Sequence, residues 1–200
     1  MGDLVKQIAL ILILLSSILI TFTFIIDEIS LYIDTLTIFY PAVDIYTKYH
    51  IITLLTGLFI YALYEENTKD KCLLMISSVM MLTSFLIKEF STLHSFNILD
   101  LLLRLTYTSF LSIYIWQSSA FKEKIERNIK INSISMIFVY SIFYSIILMF
   151  FEGSLINTQD VNIHFLGSII YIIFHYGIYL YFRRIYGLTF NHTFEVNLKD

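Results

Sequence analysis

The chain has 200 residues, of which 58% are hydrophobic and only 14% charged, with a net charge of −3. Soluble domains run about 45–50% apolar and about 25% charged, and a water-soluble fold of this size has too little interior to hide such an excess. The composition therefore excludes an ordinary soluble domain, and the slightly acidic balance offers no basic face for nucleic acid.

Lipid removes the difficulty, and a bilayer span needs about 20 mostly apolar residues. Stretches meeting that need run over 5–26, 45–64, 72–87, 98–118, 131–151 and 161–182. Backbone groups in hydrocarbon must pair within the span, so each is expected to be helical. None of the runs alternates as barrel strands do. The first run is longer than a signal-peptide core and reads as a retained span. The expected fold is all-α: a polytopic membrane helix bundle of about six transmembrane helices. Residues 1–186 form the bundle and 187–200 a short cytoplasmic tail.

Lys and Arg then orient the chain, because they concentrate on the cytoplasmic side. With both termini inside, inner segments hold ten of the thirteen, including Lys6, Lys69, Lys71, Lys122, Lys130 and Arg184. Outer segments hold Lys48 and Lys88, and Arg104 lies within a span. The predicted location is the cell membrane, as a multi-pass protein. The partners expected are the lipid bilayer and either a membrane protein or a second copy of the chain, with no nucleic acid. Residues 122–130 alternate charge like a solvated interfacial helix. The sequon Asn191-His192-Thr193 falls on the cytoplasmic side and is expected to stay unused. Cys72 is the only cysteine, which rules out an internal disulfide and a cysteine-built zinc site.

Charged groups inside spans are costly, so they mark either function or packing. In the fourth span Asp100 and Arg104 are four apart and share a face with Asn97 and Tyr107. They fit a site for an ion or polar group, and equally an internal ion pair. The sixth span carries His164, Ser168, Tyr171, His175 and Tyr179 on one stripe. It reads as a relay or path, or as a seam of interhelical hydrogen bonds. His50 of the second span and Glu152 at the end of the fifth complete the ligand- or ion-binding candidates. With His94, Asp160 and Lys88 they cluster at outer ends, which predicts a polar vestibule narrowing toward His175. No two histidines have a tight metal-binding spacing, so no metal and no cofactor are expected. No nucleophile elbow, phosphate loop or zinc-protease motif is present, and no catalytic residue is assigned.

Tyr40-Pro41-Ala42-Val43-Asp44, preceded by Asp34, opens the second span. The stretch resembles the Asp…Tyr-Pro-x-x-Asp element in multi-span membrane input regions of archaeal and bacterial signalling proteins. Those proteins carry a cytoplasmic kinase or cyclase domain, and none is read here. The resemblance therefore implies a stand-alone sensory or partner-binding membrane module without catalysis. A small transporter or channel-like protein using the vestibule is the alternative. A membrane-embedded lipid-modifying enzyme is a further one.

Overall fold

The structure is a computed structural model, and it describes residues 2–30, 40–90, 98–118, 124–147 and 161–197. The described residues form six helices: α1 (Gly2–Ser30), α2 (Tyr40–Leu63), α3 (Thr68–Phe90), α4 (Ile98–Gln117), α5 (Lys124–Ile147) and α6 (Val161–Asn197). Among the described residues there is no strand. The lone proline, Pro41, sits in the first turn of α2, where its missing N–H breaks no helical bond. Asn67 caps α3, its Oδ1 accepting from the Lys69 amide at 3.0 Å. Two lysines close helix C-termini: Lys71 Nζ donates to the Leu63 carbonyl at 3.0 Å, and Lys130 Nζ to those of Trp116 and Ser118. A cation there answers both unpaired carbonyls and the negative end of the helix dipole.

Several helices outrun the apolar stretches that announce them. Lys124–Lys130, with its alternating charges, is the first part of α5 and not a separate interfacial helix. α6 runs on through residues 187–197, which composition alone reads as a tail. Polar residues carry these extensions because a helix needs only adequate propensity there, not apolarity. The expected Asp27–Asp44 connection is shorter, since α1 continues to Ser30 and α2 starts at Tyr40.

Each helix packs on its neighbours in the chain, and α1 closes back on α6, so the six form a ring. The closest pairs are α1 with α2, α3 with α4 and α5 with α6. Gly57 lets α1 and α2 approach: a Cβ there would lie 2.8 Å from Ile13 Cγ1 and 3.0 Å from the Ala9 carbonyl oxygen. Gly177 does the same between α6 and α5, a Cβ meeting the Ser133 carbonyl oxygen and Met136 Cβ at 3.0 Å. The Ser16 hydroxyl donates to the His50 carbonyl at 2.7 Å, tying α1 to α2. Ser77 donates to the Tyr107 carbonyl at 3.1 Å, tying α3 to α4.

The outward faces are apolar. α1 exposes Leu4, Ile8, Ile11, Leu15, Ile18, Phe22 and Ile25, spaced three or four apart, while Ala9, Leu10, Ile13, Ser16 and Ile20 turn inward. Leu99, Leu102 and Leu105 on α4, and Val79, Leu82 and Leu86 on α3, are likewise exposed. Hydroxyls on these outward faces close onto their own helix. Thr53, Thr83, Thr106 and Ser109 donate to the carbonyls of Tyr49, Val79, Leu102 and Leu105. Gly2–Thr23 and Thr68–Ile87 are long and apolar enough to cross a membrane, and only 33% of either stretch is buried in the bundle.

Candidate functional site

The polar residues turned into the ring meet in two levels. The first lies at mid-bundle, since Ser16, halfway along α1, bonds the His50 backbone there. His50 Nε2 and the Tyr171 hydroxyl share a hydrogen bond of 3.2 Å. The His175 ring stands 5.3 Å from that of His50 and 4.7 Å from that of Tyr171, centroid to centroid. Tyr171 in turn lies 5.8 Å from Tyr140 on α5. The Tyr140 hydroxyl accepts from Arg104 Nη1 at 2.7 Å and from the Tyr107 hydroxyl at 3.1 Å. Thr108 donates to the Arg104 carbonyl at 2.8 Å, and its hydroxyl shares a hydrogen bond of 3.1 Å with that of Ser141. One connected set of His, Tyr and Arg side chains thus spans α2, α6, α5 and α4, with α1 and α3 attached through Ser16 and Ser77.

Arg104 is 7% exposed, His50 4% and His175 fully buried. Such burial is tolerable for a guanidinium only when hydrogen bonds answer it. A charge-assisted bond to Tyr140 is worth about twice a neutral one. Both nitrogens of His175 lack a hydrogen-bond partner among the described residues.

A second polar level lies at the end of the bundle holding the N-terminus. Tyr114 and Tyr181 rings sit 5.8 Å apart and Tyr61 packs on Phe182 at 5.5 Å. Lys6 Nζ sits 3.6 Å from Glu65 and 5.0 Å above the Tyr61 ring. Asp70 is buried beside Glu65 and Lys130. Burial, then the Glu65 charge, raises its carboxyl above the usual carboxylate range, and Lys130 partly opposes them. Fully buried apolar residues separate the two levels: Leu58 on α2, Leu111 on α4, Ile137 on α5 and Ile178 on α6. Tyr107 and Tyr114 are seven residues apart, which at helical rise puts about 10 Å between levels.

Of the residues singled out from sequence, His50, Arg104 and His175 come together at mid-bundle. Glu152 lies outside the described residues, as do His94 and Asp160. Of Asp100 and His164 only the helical backbone is described, in the first turns of α4 and α6. Most of the expected vestibule falls outside the described side chains, and Arg104 and His50 sit at mid-bundle, not at outer ends. His50 does not sit above a deeper His175 but at its level, because α2 begins five residues earlier than the apolar run. The α6 stripe also divides. Tyr171 and His175 turn inward, while Tyr179 stacks on exposed Tyr176 at 6.2 Å under the Arg183 guanidinium. The inward line passes instead through Ile178, Tyr181 and Phe182, since four residues overshoot a helical turn by about 40°.

Sequence reasoning missed Tyr140, the acceptor joining Arg104 to the rest, and the buried Asp70 and Lys130. Tyr140 stands in an apolar run beside aromatic residues, with no spacing to mark it. Asp70 and Lys130 stand in charged segments that read as solvated. Compared with known protein families, curated proteins and solved structures, the chain matches none of them.

Proposed function

We propose that this chain is a six-span, multi-pass protein of the cell membrane, working without catalysis as a sensory or partner-binding module. The observation that carries the membrane reading is the exterior: large Leu, Ile and Phe side chains face outward on all six helices, while His50, Arg104 and His175 are buried. Lipid accepts such an exterior, and no internal driving force then needs a large apolar core. Outward hydroxyls bonded back to their own helices fit the same solvent, which offers them no other partner. Two of the six helices meet a strict length-and-apolarity requirement on their own; the others fit a span once Arg104 and the histidines are shielded inside the ring. An even number of crossings places both termini on one side, and the distribution of Lys and Arg makes that side the cytoplasm.

Arg104, His50 and His175 at mid-bundle support a working role for the interior, because ionisable groups at that depth are costly unless used. The head of α2, Tyr40–Asp44, supports a signalling module through its likeness to membrane input regions. The topology is tested with reporter fusions at both termini and at the 119–123 and 91–97 connections. Both ends and 119–123 should report cytoplasm, and 91–97 the opposite face. Termini on opposite sides would end the reading.

A second reading, a small transporter, is favoured by one arrangement: two polar levels separated by an apolar layer of Leu58, Leu111, Ile137 and Ile178. Transporter sites commonly lie near the midplane. Flux of ions or small polar solutes into liposomes that disappears in Arg104→Ala would favour transport over the module. Its absence, together with copurification of one defined membrane partner, would favour the module.

A further inference from the structure

We propose that His50, His175 and Tyr171 form a binding site for a first-row transition-metal dication that prefers imidazole, with Zn2+ the simplest fit. The starting point is His175. It is fully buried, and neither ring nitrogen has a hydrogen-bond partner among the described residues. A buried polar group left so costs about 1–3 kcal/mol, and in native structures such a group calls for a water, an ion or another guest. The residues beside it decide which guest fits.

His50 Nε2 and Tyr171 Oη are 3.2 Å apart. Two donors on one tetrahedral zinc, each about 2.0–2.2 Å from the metal, are separated by about 3.3–3.5 Å. The rings of two imidazoles on one tetrahedral ion stand with centroids about 5 Å apart by the same bond lengths; those of His50 and His175 are 5.3 Å apart. The two rings are inclined at 68° in an edge-to-face contact and do not stack. The His175 ring, 4.7 Å from that of Tyr171, would have to turn about its side-chain bonds to bring one nitrogen onto an ion held by His50 Nε2 and the phenol oxygen. The ion's charge falls where water is scarce, and the phenol answers it. On binding, the Tyr171 O–H bond breaks, its proton passes to a water shed by the entering ion and leaves with it, and the phenolate oxygen becomes an anionic ligand, as a coordinating thiol does. The fourth position is left for water or an incoming ligand, the open coordination of functional rather than structural zinc sites.

Sequence spacing could not announce this set. Tight motifs put both histidines on one helix, whereas here α2 and α6 contribute across the middle of the ring. Among the described residues no three His, Cys, Asp or Glu converge, so the tyrosine is what completes the set. The site rests on this packing alone and stands apart from the sensory and transport readings.

The test uses the full chain in detergent, purified without a histidine tag, with Zn2+ and Co2+ each added alone. Wild type should retain one equivalent of Zn2+ through desalting and give the intense visible absorption of four-coordinate Co2+. His175→Ala should weaken binding about 100-fold or more, beyond the 10–100-fold that loss of a supporting group causes. Tyr171→Phe, which keeps the ring packing, should weaken it at least tenfold, and His192→Ala in the C-terminal segment should leave it unchanged. Helical circular dichroism and a monodisperse elution profile show that each variant folds. Should His175→Ala fail to fold, the Tyr171→Phe result decides. Equal binding in wild type and Tyr171→Phe, no binding in wild type, or loss confined to His192→Ala would overturn the assignment.

Discussion

Replacing Gly57 by alanine probes a close contact between α1 and α2. Alanine in a helix interior is favoured over glycine by about 1 kcal/mol, so an open site would gain from the change. Gly57 is not open. The new methyl would stand 2.8 Å from Ile13 Cγ1, 3.0 Å from the Ala9 carbonyl oxygen and 3.1 Å from the Ile13 amide nitrogen. The Ile13 side chain can rotate away, but the other two atoms are α1 backbone and move only if the helix moves. Extra methylenes forced into packed interiors cost about 1–3 kcal/mol. Subtracting the propensity gain leaves a net loss of up to about 2 kcal/mol. For a chain of this length each kcal/mol shifts Tm by about 2–4 °C, so Gly57→Ala should melt below wild type, by up to about 8 °C, by circular dichroism in detergent. Gly187→Ala supplies the contrast, because nothing lies within 4 Å of its added methyl. That variant should hold its melting point or gain up to about 1 kcal/mol. A Gly57→Ala protein as stable as Gly187→Ala would refute the reasoning, since the two differ only in what the methyl meets.

Other substitutions test the interior bonds. Tyr140→Phe removes the acceptor of Arg104 Nη1 and of the Tyr107 hydroxyl; with one charge-assisted and one neutral bond lost, stability should fall by about 2–4 kcal/mol, read from the same melts. Ser16→Ala and Ser77→Ala each delete one interhelical bond to a carbonyl and should cost about 1 kcal/mol apiece; a neutral outcome in both would mean these bonds do not join the helices energetically. Asp70 gives a pH dependence. Its carboxyl is raised by burial and by Glu65, so its contribution to stability is present below the unfolded carboxylate pKa and lost as pH rises through the folded value. Asp70→Asn should therefore melt above wild type near pH 7, with the gap closing toward about pH 4; a gap that widens on acidification would contradict the assigned direction.

The number of helices and their approximate positions were legible because each must supply a long apolar stretch, and 5–26 and 72–87 fall within α1 and α3. Ends were less legible. Residues such as Lys124 and Glu126 neither favour nor forbid a helix that continues past the apolar run. The site was legible residue by residue, not as an assembly. Arg104, His50 and His175 stand out because ionisable groups in apolar runs are rare. Their grouping depends on which helices adjoin, and the α1–α6 closure leaves no trace in composition. Tyr140 was invisible for a different reason: tyrosine serves equally at an interface, in a core or as an acceptor, and only its neighbours decide.

The close association of sequential helices has a consequence for how the ring can move. α1 with α2, α3 with α4, and α5 with α6 pack most extensively, as three hairpins, two of them keyed by a glycine and the third by the Ser77 bond. Rearrangement is cheapest along the three seams between hairpins. The Arg104–Tyr140 bond crosses the seam between the second hairpin and the third, and the His50–Tyr171 bond joins the first to the third. Sliding of the third hairpin against either of the others must break or remake one of those two bonds, which makes them the natural latches of the assembly.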